Sequence, residues 1–225
     1  MVTTRTICAF SILILLTLPT SLCAEVIDGG FNEASIGVSA DSGATNTGTS
    51  GPWTATATSY GFWSAYPGRA SVGLSGGTAT FGAFGMEDMD SSGGLAQLST
   101  VLVVPPGSAA VLSFDVTESN DGEYDPGNPS DNGTTATMSL AADGSGGLDL
   151  EGGGHFSIPL PDGPTTLTFR LITMADTQYP GSHYGSMTIT NFGITVPEPG
   201  TLTLLVSALL GLAGAFYLRR RRAKA

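Results

Sequence analysis

Between Glu118 and Gly133, eight carboxylate or amide side chains fall within sixteen positions. Calcium takes six to eight hard oxygen ligands in flexible geometry. Asp121, Glu123, Asp125 and Asp131 are therefore the candidate ligands of a structural calcium loop. The spacing lacks the D-x-D-x-D-G rhythm and twelfth-position Glu of an EF-hand, so a plain solvated loop stays open as the alternative. A second group is aromatic: Trp53, Tyr60, Phe62, Trp63 and Tyr66 lie within fourteen residues. Exposed rings stack on sugar faces, which makes Trp53, Tyr60, Trp63 and Tyr66 candidate glycan-stacking residues. Such rings also dominate core burial, and that reading stays open beside the first.

Catalytic groups are sparse. The two histidines, His155 and His183, do not form a metal-ligand pair such as H-x-x-x-H. His183, in Tyr-Pro-Gly-Ser-His-Tyr-Gly, reads as an exposed loop histidine. Glycoside hydrolysis needs two carboxylates about 5 or 6.5–9.5 Å apart. Glu87, Asp88 and Asp90, or Glu118 and Asp121, are close in sequence, but a chain with 19 acidic residues forms such clusters readily. The expectation is a protein without catalytic activity.

The two ends are set apart by hydropathy. Arg5 precedes an apolar run from Thr6 to Leu18, broken by Pro19 and followed by small residues up to Ala24. Thirteen residues span about 20 Å as a helix, too short for a bilayer core of about 30 Å. Residues 1–24 therefore read as a cleaved secretory signal, with signal peptidase and the export machinery as partners. Leu22 stands where a lipobox wants a small residue before its cysteine, which argues against lipidation of Cys23. Cys8 and Cys23 are both lost with the signal, leaving no thiol or disulfide chemistry. Between Glu25 and Val196 there are 18 acidic residues against Arg69 and Arg170, a net charge of about −16. So acidic a domain repels phosphate backbones and excludes nucleic-acid binding.

At the other end, Pro197-Glu198-Pro199-Gly200 leads into 18 uncharged residues, Thr201 to Leu218, and then Arg219, Arg220, Arg221 and Arg222. Two prolines forbid a helix or central strand, so the motif is an extended, accessible peptide. The apolar run is about 27 Å long as a helix and can just span a bilayer. The arginines hold its end in the cytoplasm. This order resembles the PEP-CTERM sorting domain of Gram-negative-type bacteria that make exopolysaccharide. The resemblance implies a protein exported, held transiently in the inner membrane, and processed by an exosortase. Pro197, Glu198 and Pro199 are then the sorting motif, and Arg219–Arg222 the topology and stop signal.

The middle is rich in Gly, Ser, Thr, Asn and Asp, with short apolar runs, the texture of many strands joined by turns. Alternation marks strands at residues 98–104, 111–116, 134–140, 167–173 and 186–196. Their inward sets include Leu112, Phe114 and Val116, then Leu167, Phe169 and Leu171. Roughly eight strands in about 170 residues fit a two-sheet sandwich. Short stretches also resemble jelly-roll, galactose-binding-like modules: Asp28-Gly29-Gly30-Phe31-Asn32-Glu33 followed by Trp53, Leu95-Ala96-Gln97-Leu98 with Pro106-Gly107 and Val111–Asp115, and Thr188–Ile194.

The expected organisation is a signal peptide at 1–24, an all-β jelly-roll-like sandwich at 25–196, and a sorting segment at 197–225. Within that segment the motif is 197–199, a single transmembrane helix is 201–218, and the basic tail is 219–225. The expected function is that of an exosortase-processed cell-surface or exopolysaccharide-matrix protein. A secreted carbohydrate-binding module is the alternative, and a glycan-active hydrolase a more distant one.

Overall fold

The computed structural model describes Phe31 and residues 34–61, 68–86, 92–120, 133–141, 147–175 and 182–196. The signal segment 1–24 and the sorting segment 197–225 lie outside the described residues. Among those described there are twelve strands: β1 (Ile36–Asp41), β2 (Thr45–Ser50), β3 (Trp53–Tyr60), β4 (Arg69–Ser75), β5 (Thr78–Met86), β6 (Ser92–Val104), β7 (Val111–Asn120), β8 (Gly133–Ser139), β9 (Leu148–Asp149), β10 (Gly154–Pro159), β11 (Gly163–Ala175) and β12 (Ser182–Thr195). They form two six-stranded sheets, ordered β1-β4-β5-β12-β7-β10 and β2-β3-β6-β11-β8-β9. Every pairing is antiparallel. The chain passes back and forth between the sheets, the connectivity of a jelly-roll-like sandwich.

Side chains alternate across each strand, and one face of each sheet is buried against the other. Leu112, Phe114 and Val116 of β7 and Leu167, Phe169 and Leu171 of β11 are buried, as their spacing predicts. Strands β3, β4 and β5 bury Trp53, Ala55, Ala57, Ala70, Val72, Leu74, Ala79, Phe81 and Ala83. Rings bind the core together. Phe31 lies 5.1 Å from Trp53 and 4.6 Å from Phe192, Phe192 lies 6.2 Å from Phe169, and Phe169 lies 5.2 Å from Phe114.

Phe192 reaches that cluster through a bulge. Thr190 pairs with Asp115 and Gly193 with Ser113, so Asn191 and Phe192 together oppose Phe114. Asn191 adopts a left-handed φ of 53°, a conformation Asn tolerates better than most residues. The extra residue turns Phe192 inward and the Asn191 amide outward, where Nδ2 donates to Asp115 Oδ2 at 2.6 Å. His155 of β10, in register with Asp115, lies with Nδ1 2.6 Å from Asp115 Oδ1. These three side chains tie β12, β7 and the edge strand β10 together on the outer face. The Asn191 hydrogen bond, and after it that from His155, hold the Asp115 carboxyl below its ordinary value of 3.8.

At the end where β4 begins, the sheets meet backbone to backbone. A Cβ on Gly94 would overlap the carbonyl oxygen of Arg69, and one on Gly68 would overlap that of Gly93. Only glycine permits this approach, and it sets the position of Arg69.

Two stability measurements check this construction. Trp53→Ala should lower unfolding free energy by about 3–5 kcal/mol in a denaturant titration, as for other buried aromatics. The exposed substitution Thr49→Ser should change it by less than about 0.5 kcal/mol. A carboxyl with a depressed folded-state pKa favours folding above its ordinary value, and that contribution is lost as pH falls through the folded value. Asp115→Ala should therefore be less stable than wild type near neutral pH, and the gap should close as pH falls below 3.8. A gap that persists unchanged in strong acid would contradict the clamp.

Candidate functional site

The outer face of the first sheet carries a groove of about 770 Å³. Ser39, Asp41, Asn46, Arg69, Ser71, Gly82 and Phe84 are among its lining residues, and register continues their rows onto Tyr184 and Ser186 beside it. Asp41 of β1 pairs with Arg69 of β4, Arg69 with Phe84 of β5, and Phe84 with Tyr184 of β12. Paired residues share a face, so four strands present Asp41, Arg69, Phe84 and Tyr184 in one row. Three inter-strand steps of 4.7–4.9 Å make this row about 14 Å long. The next row is Ser39, Ser71, Gly82 and Ser186. Gly82 leaves its middle open, since a Cβ there would lie 2.8 Å from Ser71 Oγ. Asn46 of β2 closes one end, its Nδ2 donating to the Ser39 carbonyl at 2.5 Å.

The chemistry is mixed in a specific way. Tyr184 is 53% exposed, and Phe84, paired with it across the strands, is half-buried, so two neighbouring rings contribute apolar surface. Around them stand hydroxyls, one amide, one carboxylate and one guanidinium. Such a surface suits a ligand with apolar faces and many hydroxyls, because rings take the first and fixed polar groups the second. Among the described residues Asp41 is the one carboxylate lining the groove. The His155–Asp115 pair is elsewhere. Thr190, opposite Asp115, is six residues along β12 from Tyr184, about 20 Å at strand rise.

The structure redistributes the residues expected from sequence. Trp53 is 1% exposed and packs on Phe31 and Phe192, so it is a core residue and offers no ring to a ligand. It opens β3 on an inward position, and alternation buries it together with Ala55 and Ala57. Tyr60, at the opposite end of β3, is 37% exposed and pairs with Gly93 in the second sheet. Trp63 and Tyr66 lie outside the described residues, as do Asp121, Glu123, Asp125 and Asp131. Among the described residues no group of three His, Cys, Asp or Glu side chains is placed to hold a metal. His183, expected in a loop, stands on β12 opposite Gly85. Pro197, Glu198, Pro199 and Arg219–Arg222 are outside the described residues. Among those described, no helix is long and apolar enough to cross a membrane.

Sequence reasoning missed Phe84 and Tyr184, although a signal exists. Phe81 and Phe84 are three apart on one strand and must face opposite ways. Tyr184 is three residues before Met187 and must oppose its inward direction.

Comparison with known proteins bears on the two parts of the chain separately. Curated sequences give no match. Among solved structures, the xyloglucanase domain of NopAA, a type three effector from Sinorhizobium fredii, is 11% identical with a TM-score of 0.35. It covers 71% of this chain and 99% of that domain. A family 11 carbohydrate-binding module of a cellulosomal cellulase of Clostridium thermocellum is 11% identical with a TM-score of 0.31, covering 68% of this chain and 87% of that module. The C-terminal segment is specific: residues 195–222 match the model of the PEP-CTERM protein-sorting motif. Such a motif is an exosortase recognition signal and directs an exported protein to the surface. This chain thus carries, at residues 195–222, a PEP-CTERM protein-sorting motif.

Proposed function

We propose that the chain is a non-catalytic surface protein whose sandwich holds a polysaccharide strand in the outer groove of the first sheet. The observation that carries this reading is the row Asp41–Arg69–Phe84–Tyr184, with its serine-lined neighbour, across four strands. Tyr184 and Phe84 stack on sugar faces, while Arg69, Asp41 and Asn46 bind ring hydroxyls. Trp63 and Tyr66 belong by sequence to the connection between Tyr60 and Arg69, and we propose them as further sugar-stacking residues. Asp121, Glu123, Asp125 and Asp131, in the connection between β7 and β8, hold a structural calcium ion. A hydrolase would need a second carboxylate facing the first across the groove, and the groove offers Asp41 alone among the described residues.

Export and sorting bring the domain to its ligand. The signal at 1–24 is removed, residues 201–218 span the inner membrane, and Arg219–Arg222 stay in the cytoplasm. The exosortase reads Pro197, Glu198 and Pro199, and the processed domain joins the cell surface or exopolysaccharide matrix.

Binding to the host's purified exopolysaccharide, measured by affinity electrophoresis and calorimetry, tests the groove. Tyr184→Ala and Arg69→Ala should each weaken binding about tenfold or more, on the order of 1.4 kcal/mol, with unchanged circular dichroism. Thr49→Ser should bind as wild type does. Equal binding by wild type and Tyr184→Ala, or no binding by wild type, would overturn the reading.

A further inference from the structure

We infer that the end of the sandwich from which the C-terminus leaves is a membrane-contacting pole, resting on the lipid interface while the chain is anchored. The inference rests on residues 201–218 spanning the bilayer. Strand β12 stays paired up to Thr195, which opposes Val111. The five steps from Val196 to Thr201 reach at most about 18 Å even when fully extended. The domain therefore cannot stand clear of the membrane, and this end of it must be the one that faces lipid.

The surface at this end differs from the rest of the domain. It includes the ends of β6 and β12, the starts of β7 and β11, and the connections β6–β7 and β10–β11. The connections β2–β3, β4–β5 and β8–β9 leave from the same end, the last with one carboxylate by sequence, Asp143. Val101 and Val103 are 52% and 53% exposed, among the most exposed large apolar side chains described. Pro106, Ala109, Pro161 and Pro164 are exposed beside them. Residues 101–114, 157–167 and 192–196 contain a single charged residue, Asp162, and its Oδ2 accepts a hydrogen bond from the Gly107 N–H at 2.9 Å. Prolines bring no N–H that would have to be desolvated against lipid. A patch this poor in charge, on a domain whose net charge is about −16, marks a contact surface rather than a solvated one.

Charge gives the same orientation independently of the tether. The connections β5–β6, β7–β8 and β11–β12 leave from the opposite end of the strands. By sequence they contain eight carboxylates. Anionic headgroups repel that end and leave the uncharged pole facing them.

The test is depth measurement by spin labelling. The full chain, with Cys8→Ser and Cys23→Ser, is reconstituted into phosphatidylethanolamine–phosphatidylglycerol vesicles. Nitroxides are placed singly through Val103→Cys, Thr45→Cys and Leu209→Cys. Collision with oxygen relative to a water-soluble nickel chelate should be several-fold higher at 103 than at 45, and highest at 209. A label at 209 in lipid with 103 as aqueous as 45 overturns the pole alone. Shielding of 103 from both reagents also overturns it, by showing protein rather than lipid on that surface. An aqueous 209 overturns the membrane-span reading, and the pole with it.

Discussion

The bulge at Asn191–Phe192 sets which way the last strand faces, and the rest of the molecule depends on it. Before the bulge, Met187 and Ile189 point inward and Tyr184 and Ser186 outward. A regular strand would keep that parity and turn Phe192, Ile194 and Val196 toward water. The extra residue reverses it, so all three pack against the core. The same strand can thus present Tyr184 on the outer face beside Phe84 and still bury its final residues. The left-handed Asn191 that makes the turn is held by its hydrogen bond to Asp115. A clamp of three polar side chains on one face thereby supports an aromatic cluster on the other.

The two ends of the sandwich are differently built, and the difference follows from what joins them. At one end glycine backbones bring the sheets into contact and set Arg69 beside Phe84. Arg69 is one of two cations between Glu25 and Val196, and it stands in register with a carboxylate on one side and a ring on the other. At the other end the β6–β7 and β10–β11 connections are short, contain prolines, and carry Asp162 as their single charged residue. The groove lies on the first sheet's outer face near the end where β4 begins, and it is left open when the opposite end is held down.

Much of the fold could be read before the structure, for a physical reason. Strands β6, β7, β8, β11 and β12 bury Leu, Ile, Met, Val and Phe in alternation, so their contrast with polar neighbours is strong. Strands β3 and β5 bury alanine beside Trp53 and Phe81, and Ala–Thr alternation gives little hydrophobic contrast. Trp53 was ambiguous because a ring serves a core or a ligand equally well until its strand position is known. The bulge was hidden because one extra residue changes pairing without changing composition, and with it went the parity that exposes Tyr184. The sorting motif was readable throughout because it acts as a linear peptide, where order and spacing are the whole signal.

Mass spectrometry of the intact protein from its native host tests the account most directly, comparing wild type with Glu198→Ala. Cleavage at the sorting segment should remove residues 201–225 from the wild type. The variant should retain them and stay in the inner membrane. If both proteins keep an uncut C-terminus, the segment is a permanent anchor and the protein is not an exosortase product.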